Sequence, residues 1–312
     1  MTVDLTKNHE ARVRVLCSGS SGMVGTTLRA ALAQEGAEVL QLVRRPATSG
    51  GQIEWNPQSH PVIRDLHRIE GLEAAVHLSG VNLADRRWTA EYKKEIESSR
   101  VDSTRVLAET LAGLEKPPKT LLVASATGFY GNRGDEVLDE TSGAGKGYLP
   151  EICEKWEAAS EAAAKAGIRV VHLRFGVVLG REGALKKMLP VFKLGLGGRL
   201  GSGRQWMSWI SLEDAVRAIL FAMNTETLSG AVNVVAPEPV TNSEFTRALG
   251  RAVHRPAVMP VPALALKLMF GEMADEALLG STRAVPGKLM GAGFPFEEPT
   301  VDEALGAAVG RE

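Results

Sequence analysis

Three glycines in the segment SGSSGMVG, residues 18–25, constrain the fold of this chain more than any other feature. An apolar run at residues 13–17 directly precedes them, and apolar residues at 24, 28, 31 and 32 follow at the spacing of one helical face. A strand, a glycine turn and a helix in this order predict the first unit of an α/β fold. The glycines allow the backbone to approach a ligand closely, and they leave the helix N-terminus free to bind a phosphate.

Further short apolar runs alternate with helical patterns along the chain. Strands are predicted at residues 39–43, 74–78, 120–124, 169–175 and 232–235, and helices at residues 89–111 and 151–166. This alternation is typical of a parallel sheet that is covered by helices on both faces. We therefore predict an α/β fold with a doubly wound parallel sheet of the Rossmann type and a smaller C-terminal substrate lobe.

The sequence changes character after residue 180. Residues 193–203 are glycine-rich and predict a loop, whereas S-L-E-D at 211–214 and T-N-S-E at 241–244 predict the starts of two helices. The stretch from residue 255 is rich in Pro, Met and Leu and is predicted to be helical. We expect a cofactor-binding domain over residues 12–180, to which 211–236 returns, and a substrate lobe over 181–210 and 237–312.

Charge, cysteine content and hydropathy exclude several classes of protein. The chain has 36 Lys and Arg against 37 Asp and Glu, so no global basic field would attract nucleic acid or an anionic membrane. Cys17 and Cys153 are too few for a disulfide framework, and no metal-ligand spacing is present. No signal-peptide core is found, and the apolar stretch 263–270 is too short to span a bilayer. We expect a cytoplasmic protein that binds a small molecule but no metal, nucleic acid or membrane; a homodimer is compatible with the sequence.

The end of the second predicted strand indicates which nucleotide the glycine turn would bind. An NAD site usually has Asp or Glu about 20 residues past the glycines, where it accepts a hydrogen bond from the ribose 2′-hydroxyl. This chain has Arg44 and Arg45 there instead, and two guanidiniums suit a 2′-phosphate. We therefore predict NADP(H) as the cofactor; the alternative is a solvated pair of arginines at a strand end.

Several collinear segments resemble the extended short-chain dehydrogenase/reductase superfamily, in its NAD-dependent epimerase/dehydratase group. They are SGSSGMVG, LSGVNLADRRW, SRVDSTRVL, SATGFYG, ICEKWE, LRFGVVLG, GSGRQWMSWISLEDAVRAI and NVVAPEPVTNSEF. The resemblance covers nearly the whole chain and is specific to an atypical branch labelled sugar-nucleotide epimerase or cell-division-inhibitor-like. It implies NADP(H) binding, but it implies no particular substrate.

The resemblance also implies which residues contact the cofactor. The implied contacts to the pyrophosphate are Gly19, Gly22, Met23, Val24 and Gly25, and those to the adenosine phosphate are Arg44 and Arg45. Beside the adenine-side ribose would lie Leu78, Ser79 and Gly80, and the nicotinamide would be flanked by the backbone of Arg174, Gly176, Val177 and Val178. Ser125 matches the catalytic Ser or Thr that follows the fifth strand of the family.

The acid–base pair of the superfamily is absent from this chain. Its members place a Lys four residues after a Tyr on one helix face, which lowers the pKa of the Tyr toward neutrality. None of Tyr92, Tyr130 and Tyr148 has a Lys at that spacing. We expect Ser125 and Tyr130 to be the catalytic pair, with Tyr148 as a further candidate. The alternatives are that Tyr130 packs under the substrate lobe and that Ser125 caps the strand end.

Candidate substrate contacts follow the fourth strand and the glycine-rich loop. They are Asn82, Arg86, Trp88, Arg204, Trp206 and Trp209. Such side chains suit an anionic or sugar-like ligand, although the two later tryptophans would equally anchor the lobe to the sheet. The polar segment 131–147 would be a lid or an idle surface loop. Two functions stay open: an NADP(H)-dependent oxidoreductase or epimerase acting on a small carbonyl or sugar-like substrate, and an NADPH-binding sensor or scaffold with little or no turnover.

Overall fold

The computed structural model describes residues 12–310, and seven parallel strands form the central sheet within them. The strands are β1 Arg14–Ser18, β2 Glu38–Val43, β3 Gln52–Glu54, β4 Ala74–His77, β5 Thr120–Ala126, β6 Arg169–Phe175 and β7 Gly230–Val234. Their spatial order is β3-β2-β1-β4-β5-β6-β7. The direction of winding reverses between β1 and β4, and ligands bind at the carboxyl ends of strands at such a point. The predicted doubly wound α/β fold is confirmed.

Helices cover both faces of this sheet. The α-helices of the described residues are α1 Met23–Gln34, α2 Ala90–Glu97, α3 Ser103–Ala112, α4 Tyr148–Ala158, α5 Glu161–Lys165, α6 Ala184–Lys193, α7 Leu212–Asn224, α8 Asn242–Ala252, α9 Ala263–Phe270, α10 Gly287–Gly291 and α11 Val301–Gly310. Of these, α1 and α7 pack on one face of the sheet, and α3, α4 and α5 pack on the other. The long helix expected at 89–111 is divided by the π-helical turn Ser98–Asp102, and the one expected at 151–166 is divided between α4 and α5.

Alternate residues of the strands supply the two halves of the core. Val15 and Cys17 of β1 pack with Leu28 and Leu32 of α1 on one face of the sheet. Leu16 packs on the other face, in a cluster that includes Leu107 of α3. Full burial of a side chain of this size stabilises the fold by about 1.5–3 kcal/mol. The layers therefore fix the carboxyl ends of β1 and β4, and with them the glycine turn.

A further apolar cluster holds the C-terminal elements together. It includes Leu185 of α6, Phe245 of α8 and Leu305 of α11. Both predicted helix starts are present, because the Ser211 Oγ accepts from the Asp214 N–H at 3.1 Å and Thr241 forms a capping box. The division of the chain into two domains stays a prediction. Among residues 12–310, no helix combines the length and the apolar content needed to cross a bilayer.

Candidate functional site

The glycine turn packs against the end of β4 through main-chain atoms. Gly19 has a φ of +65°, and a Cβ at this position would lie 2.6 Å from the carbonyl carbon of Leu78. A Cβ on Gly25 would lie 2.4 Å from the carbonyl oxygen of Gly19. Gly22 is the N-cap of α1 and offers no side chain to it, so the first N–H groups of the helix are free for a ligand. Such a cradle fits a pyrophosphate.

A cavity of about 800 Å³ opens at this turn. Among the described residues that line it, three are arginines, Arg29, Arg44 and Arg45, and none is Asp or Glu. Arg44 and Arg45 are exposed at the end of β2, and Ser79 and Gly80, which follow β4, also line the cavity. The cavity therefore fits a ligand with several negative charges, and its described lining offers no carboxylate to a ribose 2′-hydroxyl.

Arg29 is a site residue that the sequence analysis missed. Its Nη1 donates to the carbonyl of Ser20 at 3.1 Å, which holds the guanidinium beside the glycine turn. Its position on α1, four residues after the last glycine and outside the apolar stripe, is the signal from which it could have been predicted.

The start of α1 also meets the segment that follows β6. Gly176 allows close packing, since a Cβ there would lie 2.6 Å from the carbonyl oxygen of Ser208. Val177 and Val178 pair with the strand Trp209–Ser211, and the Sδ of Met23 lies 2.5 Å from where a Cβ of Gly180 would be. The structure thus brings the residues expected near the pyrophosphate and those expected near the nicotinamide to one edge of the sheet.

Ser125, at the end of β5, is held by a buried ion pair. Its hydroxyl donates to Glu157 Oε1 at 2.7 Å, and the side chain of Arg174 donates to both oxygens of the same carboxylate at 2.8 Å. Ser125 and Arg174 are only 3% and 4% exposed. This arrangement directs the Ser125 hydroxyl toward the protein interior, and among the described residues Ser125 forms no hydrogen bond with Tyr130.

Tyr130 is completely buried, which corrects its expected role as a proton donor. Its hydroxyl lies 2.7 Å from Asn233 Oδ1 and 2.9 Å from the carbonyl oxygen of Asp139, and it accepts from Arg174 Nη1 at 3.1 Å. Burial raises the pKa of the phenol. The side chain therefore links β6 and β7 to the Asp139 loop and presents no surface to a ligand.

Tyr148 is partly exposed at the start of α4. Its hydroxyl donates to the carbonyl of Lys93 at 3.2 Å, and its ring packs edge-on against Trp88 with centroids 5.2 Å apart. Burial, followed by the negative charge of Glu97, raises the pKa of the phenol to about 12. Lys155 does not lower that pKa, because its Nζ pairs with Glu97 at 2.8 Å. Tyr148 is therefore protonated at neutral pH.

Two more side chains lie at the carboxyl ends of β4 and β5. Thr127 begins the turn Thr127–Tyr130 and is partly exposed, and its hydroxyl has no hydrogen-bond partner among residues 12–310. The guanidinium of Arg100 packs on Gly80, with its Cζ 3.1 Å from where a Cβ would be, and donates to the carbonyl of Val81 at 2.9 Å. No carboxylate within the described range forms an ion pair with Arg100. Both residues lie in segments that carry the family resemblance, which was the available signal.

The candidate substrate contacts do not form one cluster. Trp209 is fully buried and its Nε1 donates to the carbonyl of Glu238 at 3.0 Å, which agrees with the alternative of an anchoring role and not with a ligand contact. Trp88 is also buried. Trp206 donates to Asp135 Oδ1 at 2.8 Å, and Arg283 lies over its ring at 4.1 Å. These tryptophans mainly hold loops in place.

The exposed polar candidates differ in how firmly they are held. Arg86 pairs with Glu95 at 3.3 Å, and Asn82 Oδ1 accepts from the Ala84 N–H at 3.0 Å. The side chain of Arg204 makes no contact of this kind among residues 12–310. Hydrogen bonds hold the segment 131–147 against later residues of the chain; for example, the Thr282 hydroxyl donates to the carbonyl of Gly131 at 2.8 Å. Its role as a lid or as an idle surface loop stays a prediction.

Comparisons with known proteins extend this description. A model of the NAD dependent epimerase/dehydratase family matches residues 15–235, and a domain of unknown function (DUF1731) matches residues 261–308. Epimerase family protein MT2273 of Mycobacterium tuberculosis is 47% identical over 302 residues, covering 96% of this chain and 99% of its own length.

Two solved structures are informative. The human epimerase family protein SDR39U1, crystallised with NADPH, superposes with a TM-score of 0.87 and 32% identity, over 96% of this chain and 100% of that one. The UDP-N-acetylglucosamine 4-epimerase of Bacillus cereus has the same fold at a TM-score of 0.75 and 14% identity, over 95% and 98% of the two chains. The sequence, the sheet topology and the glycine turn agree with these matches, and the chain belongs to the NAD-dependent epimerase/dehydratase family.

Proposed function

We propose that this protein is an NADP(H)-dependent oxidoreductase or epimerase that acts on a small carbonyl or sugar-like substrate. The observation that carries the proposal is the cavity at the glycine turn, which three arginines and no described carboxylate line. The NADPH in the structure of human SDR39U1 supports the same choice of cofactor. Buried, unpaired thiols at Cys17 and Cys153 are compatible with the cytoplasmic location that belongs to this proposal.

The roles of the cofactor-side residues follow from their positions. The free N–H groups at the start of α1 would hold the diphosphate, and Arg44 with Arg45 would bind the 2′-phosphate by charge-assisted hydrogen bonds. The nicotinamide supplies or accepts a hydride when it is bound. The remaining tasks, which are to orient the substrate and to move a proton, belong to the side chains of the chain itself.

Thr127 and Arg100 are the side chains that we assign to the substrate oxygen. The Ser125 hydroxyl already donates its hydrogen bond to Glu157, whereas the hydroxyl of Thr127 has no partner among residues 12–310 and can donate to a carbonyl oxygen. An arginine donates hydrogen bonds but does not lose its proton, so Arg100 would stabilise developing negative charge without acting as the acid. Arg100 is a partly buried cation without a described carboxylate partner, and an anionic group beside it would offset the cost of removing that charge from water.

The proton would pass through Tyr148 or a water molecule. Tyr148 is protonated at neutral pH and lies close enough to Arg100 for the guanidinium to act on its pKa, although burial still holds that pKa near 12. A phenol with such a raised pKa is a weaker acid than one whose pKa lies near neutral pH, so we expect slow turnover.

A panel of small aldehydes, ketones and nucleotide sugars tests this proposal. We expect oxidation of NADPH by at least one carbonyl substrate, and we expect Thr127→Val and Arg100→Met each to lower turnover by about 10²-fold. The dissociation constant for NADPH should change by less than about threefold in both variants. Thr225→Val, at the end of α7 and remote from the cavity, is the matched control and should leave turnover unchanged.

The second candidate is an NADPH-binding sensor or scaffold. The observation that favours it is that burial raises the pKa of all three tyrosines, Tyr92, Tyr130 and Tyr148, and lowers none of them. Tight NADPH binding without turnover on any substrate of the panel would support the sensor and contradict the oxidoreductase. Thr127→Val should then leave NADPH binding unchanged.

A further inference from the structure

Large apolar side chains are exposed together on the C-terminal lobe. Of the eleven large hydrophobic residues that are clearly exposed within residues 12–310, eight lie in the segments 183–204 and 252–271. We call these eight the apolar patch: Val191, Leu194, Leu196, Val258, Met259, Leu264, Leu268 and Met269. Their exposed fractions run from 46% to 74%, and monomeric proteins seldom leave such a group in water without a function for it.

The two segments are adjacent in space. The Met259 N–H donates to the carbonyl of Gly197 at 3.1 Å, and the Val261 N–H donates to that of Arg199 at 2.9 Å. α9 begins two residues after Val261. Leu264 and Leu268 are one helical turn apart on its exposed side, opposite the buried Leu266. The apolar residues therefore form one surface and not two.

Positive charge is concentrated in the same two segments. They contain Lys186, Lys187, Lys193, Arg199, Arg204, Arg255 and Lys267, and neither segment contains an Asp or a Glu. Only Lys187 and Lys267 form ion pairs within the described residues, with Asp85 at 3.9 Å and Asp275 at 2.8 Å. A chain with a net charge of −1 thus carries a local excess of unneutralised cations beside the apolar patch.

We propose that this surface docks on a membrane that contains anionic lipids. Leu, Val and Met side chains would enter the boundary between headgroups and acyl chains, while cations such as Lys193 and Arg255 would contact lipid phosphates. This proposal replaces the expectation of no membrane partner, which depended on the net charge of the whole chain. It does not depend on the proposed enzymatic function.

Two features favour a bilayer over a protein partner. In a symmetric dimer that buries this surface, the cations of one copy would face those of the other. Interfaces with other proteins depend on aromatic anchors and directional polar contacts, whereas the apolar patch is purely aliphatic and thioether in character and needs no matched shape.

The surface that would dock also lies close to the candidate site. Phe270, at the end of α9, packs against the cluster that contains Trp88 and Tyr148.

Vesicle flotation with the full-length protein tests the proposal. We expect partition onto phosphatidylglycerol–phosphatidylcholine vesicles to exceed that onto phosphatidylcholine vesicles by at least about tenfold, and to fall as salt is added. Leu264→Asp combined with Leu268→Asp should lower this partition by about tenfold or more. The matched control is Val137→Asp combined with Met290→Asp, which changes exposed apolar residues outside the patch and should have no effect.

Charge reversal tests the cationic part separately. Lys193→Glu combined with Arg255→Glu should abolish the preference for anionic vesicles, and unchanged circular dichroism and NADPH affinity would show that each variant is folded. The proposal is overturned if the wild type does not bind anionic vesicles at low salt, or if the patch variants bind as well as the wild type. A concentration-dependent dimer that is lost in the Leu264 and Leu268 variant, without vesicle binding, would assign the surface to a second copy instead.

Discussion

Replacing Arg44 and Arg45 by alanine tests how the cavity at the glycine turn distinguishes two dinucleotides that differ by one phosphate. A hydrogen bond to a charged group contributes about 1.5–3 kcal/mol, and both arginines are exposed, so the lower end of that range applies. About 1.4 kcal/mol corresponds to tenfold in affinity. We therefore expect NADPH to bind about tenfold more weakly to each single variant and about 10²-fold more weakly to the double variant.

The affinity for NADH is the internal control in this experiment. Its ribose carries an uncharged 2′-hydroxyl, and the described lining of the cavity offers it no carboxylate, so the loss of either arginine should change NADH binding by less than about threefold. Fluorescence titration of the reduced cofactors measures both affinities at one salt concentration. Arg64→Ala, an exposed arginine outside the cavity, should leave both unchanged. A parallel loss of NADPH and NADH affinity would refute the reasoning.

Three further predictions concern the supports of the site. Gly25→Ala places a Cβ 2.4 Å from a main-chain oxygen and should weaken NADPH binding at least about tenfold by calorimetry, whereas Gly306→Ala, with open space around it, should not; equal effects would contradict the cradle. Glu157→Ala leaves Arg174 buried without its partner and should lower the free energy of unfolding by about 3 kcal/mol in urea titrations, and a loss below about 1 kcal/mol would be inconsistent with the buried pair. Burial lowers the pKa of His77 to about 4 from an ordinary 6.5, so the unfolded state binds the extra proton first. The stabilisation that this histidine gives at neutral pH should therefore decline as the pH falls from about 6.5 to about 4. Over that range the urea midpoint of the wild type should fall more than that of His77→Gln, and an equal fall in both proteins would contradict the lowered pKa.

The elements that the sequence predicted correctly depend on local chemistry. The strand before Gly19, the helix after it and the caps at Ser211 and Thr241 need only neighbouring residues, and all are present. The short strand Gln52–Glu54 was missed because three residues are too few to show a period.

The misplaced site residues depend on contacts between distant parts of the chain. Tyr130 lies 103 residues from Asn233, and Ser125 lies 32 residues from Glu157, so no local pattern indicates that these hydroxyls are already bonded. Trp209 follows a glycine-rich loop, and the sequence left a ligand contact and an anchoring role both open; its strand pairs with the segment Val177–Leu179 inside a core cluster. Burial of a polar or aromatic side chain is decided by packing that the sequence alone does not specify.

Whole-chain averages also concealed a feature of the surface. The net charge of −1 correctly excludes a global field, but it does not describe how charges are distributed. Two segments without carboxylates, brought together by hydrogen bonds such as that between Met259 and Gly197, concentrate cations that the average cancels.

Calorimetric titration of the wild-type protein with NADPH, and separately with NADH, measures whether the chain selects the phosphorylated dinucleotide. We expect one bound NADPH per chain and an affinity for NADPH at least about tenfold greater than that for NADH. Failure to bind either dinucleotide, or equal affinities for both, would contradict this expectation.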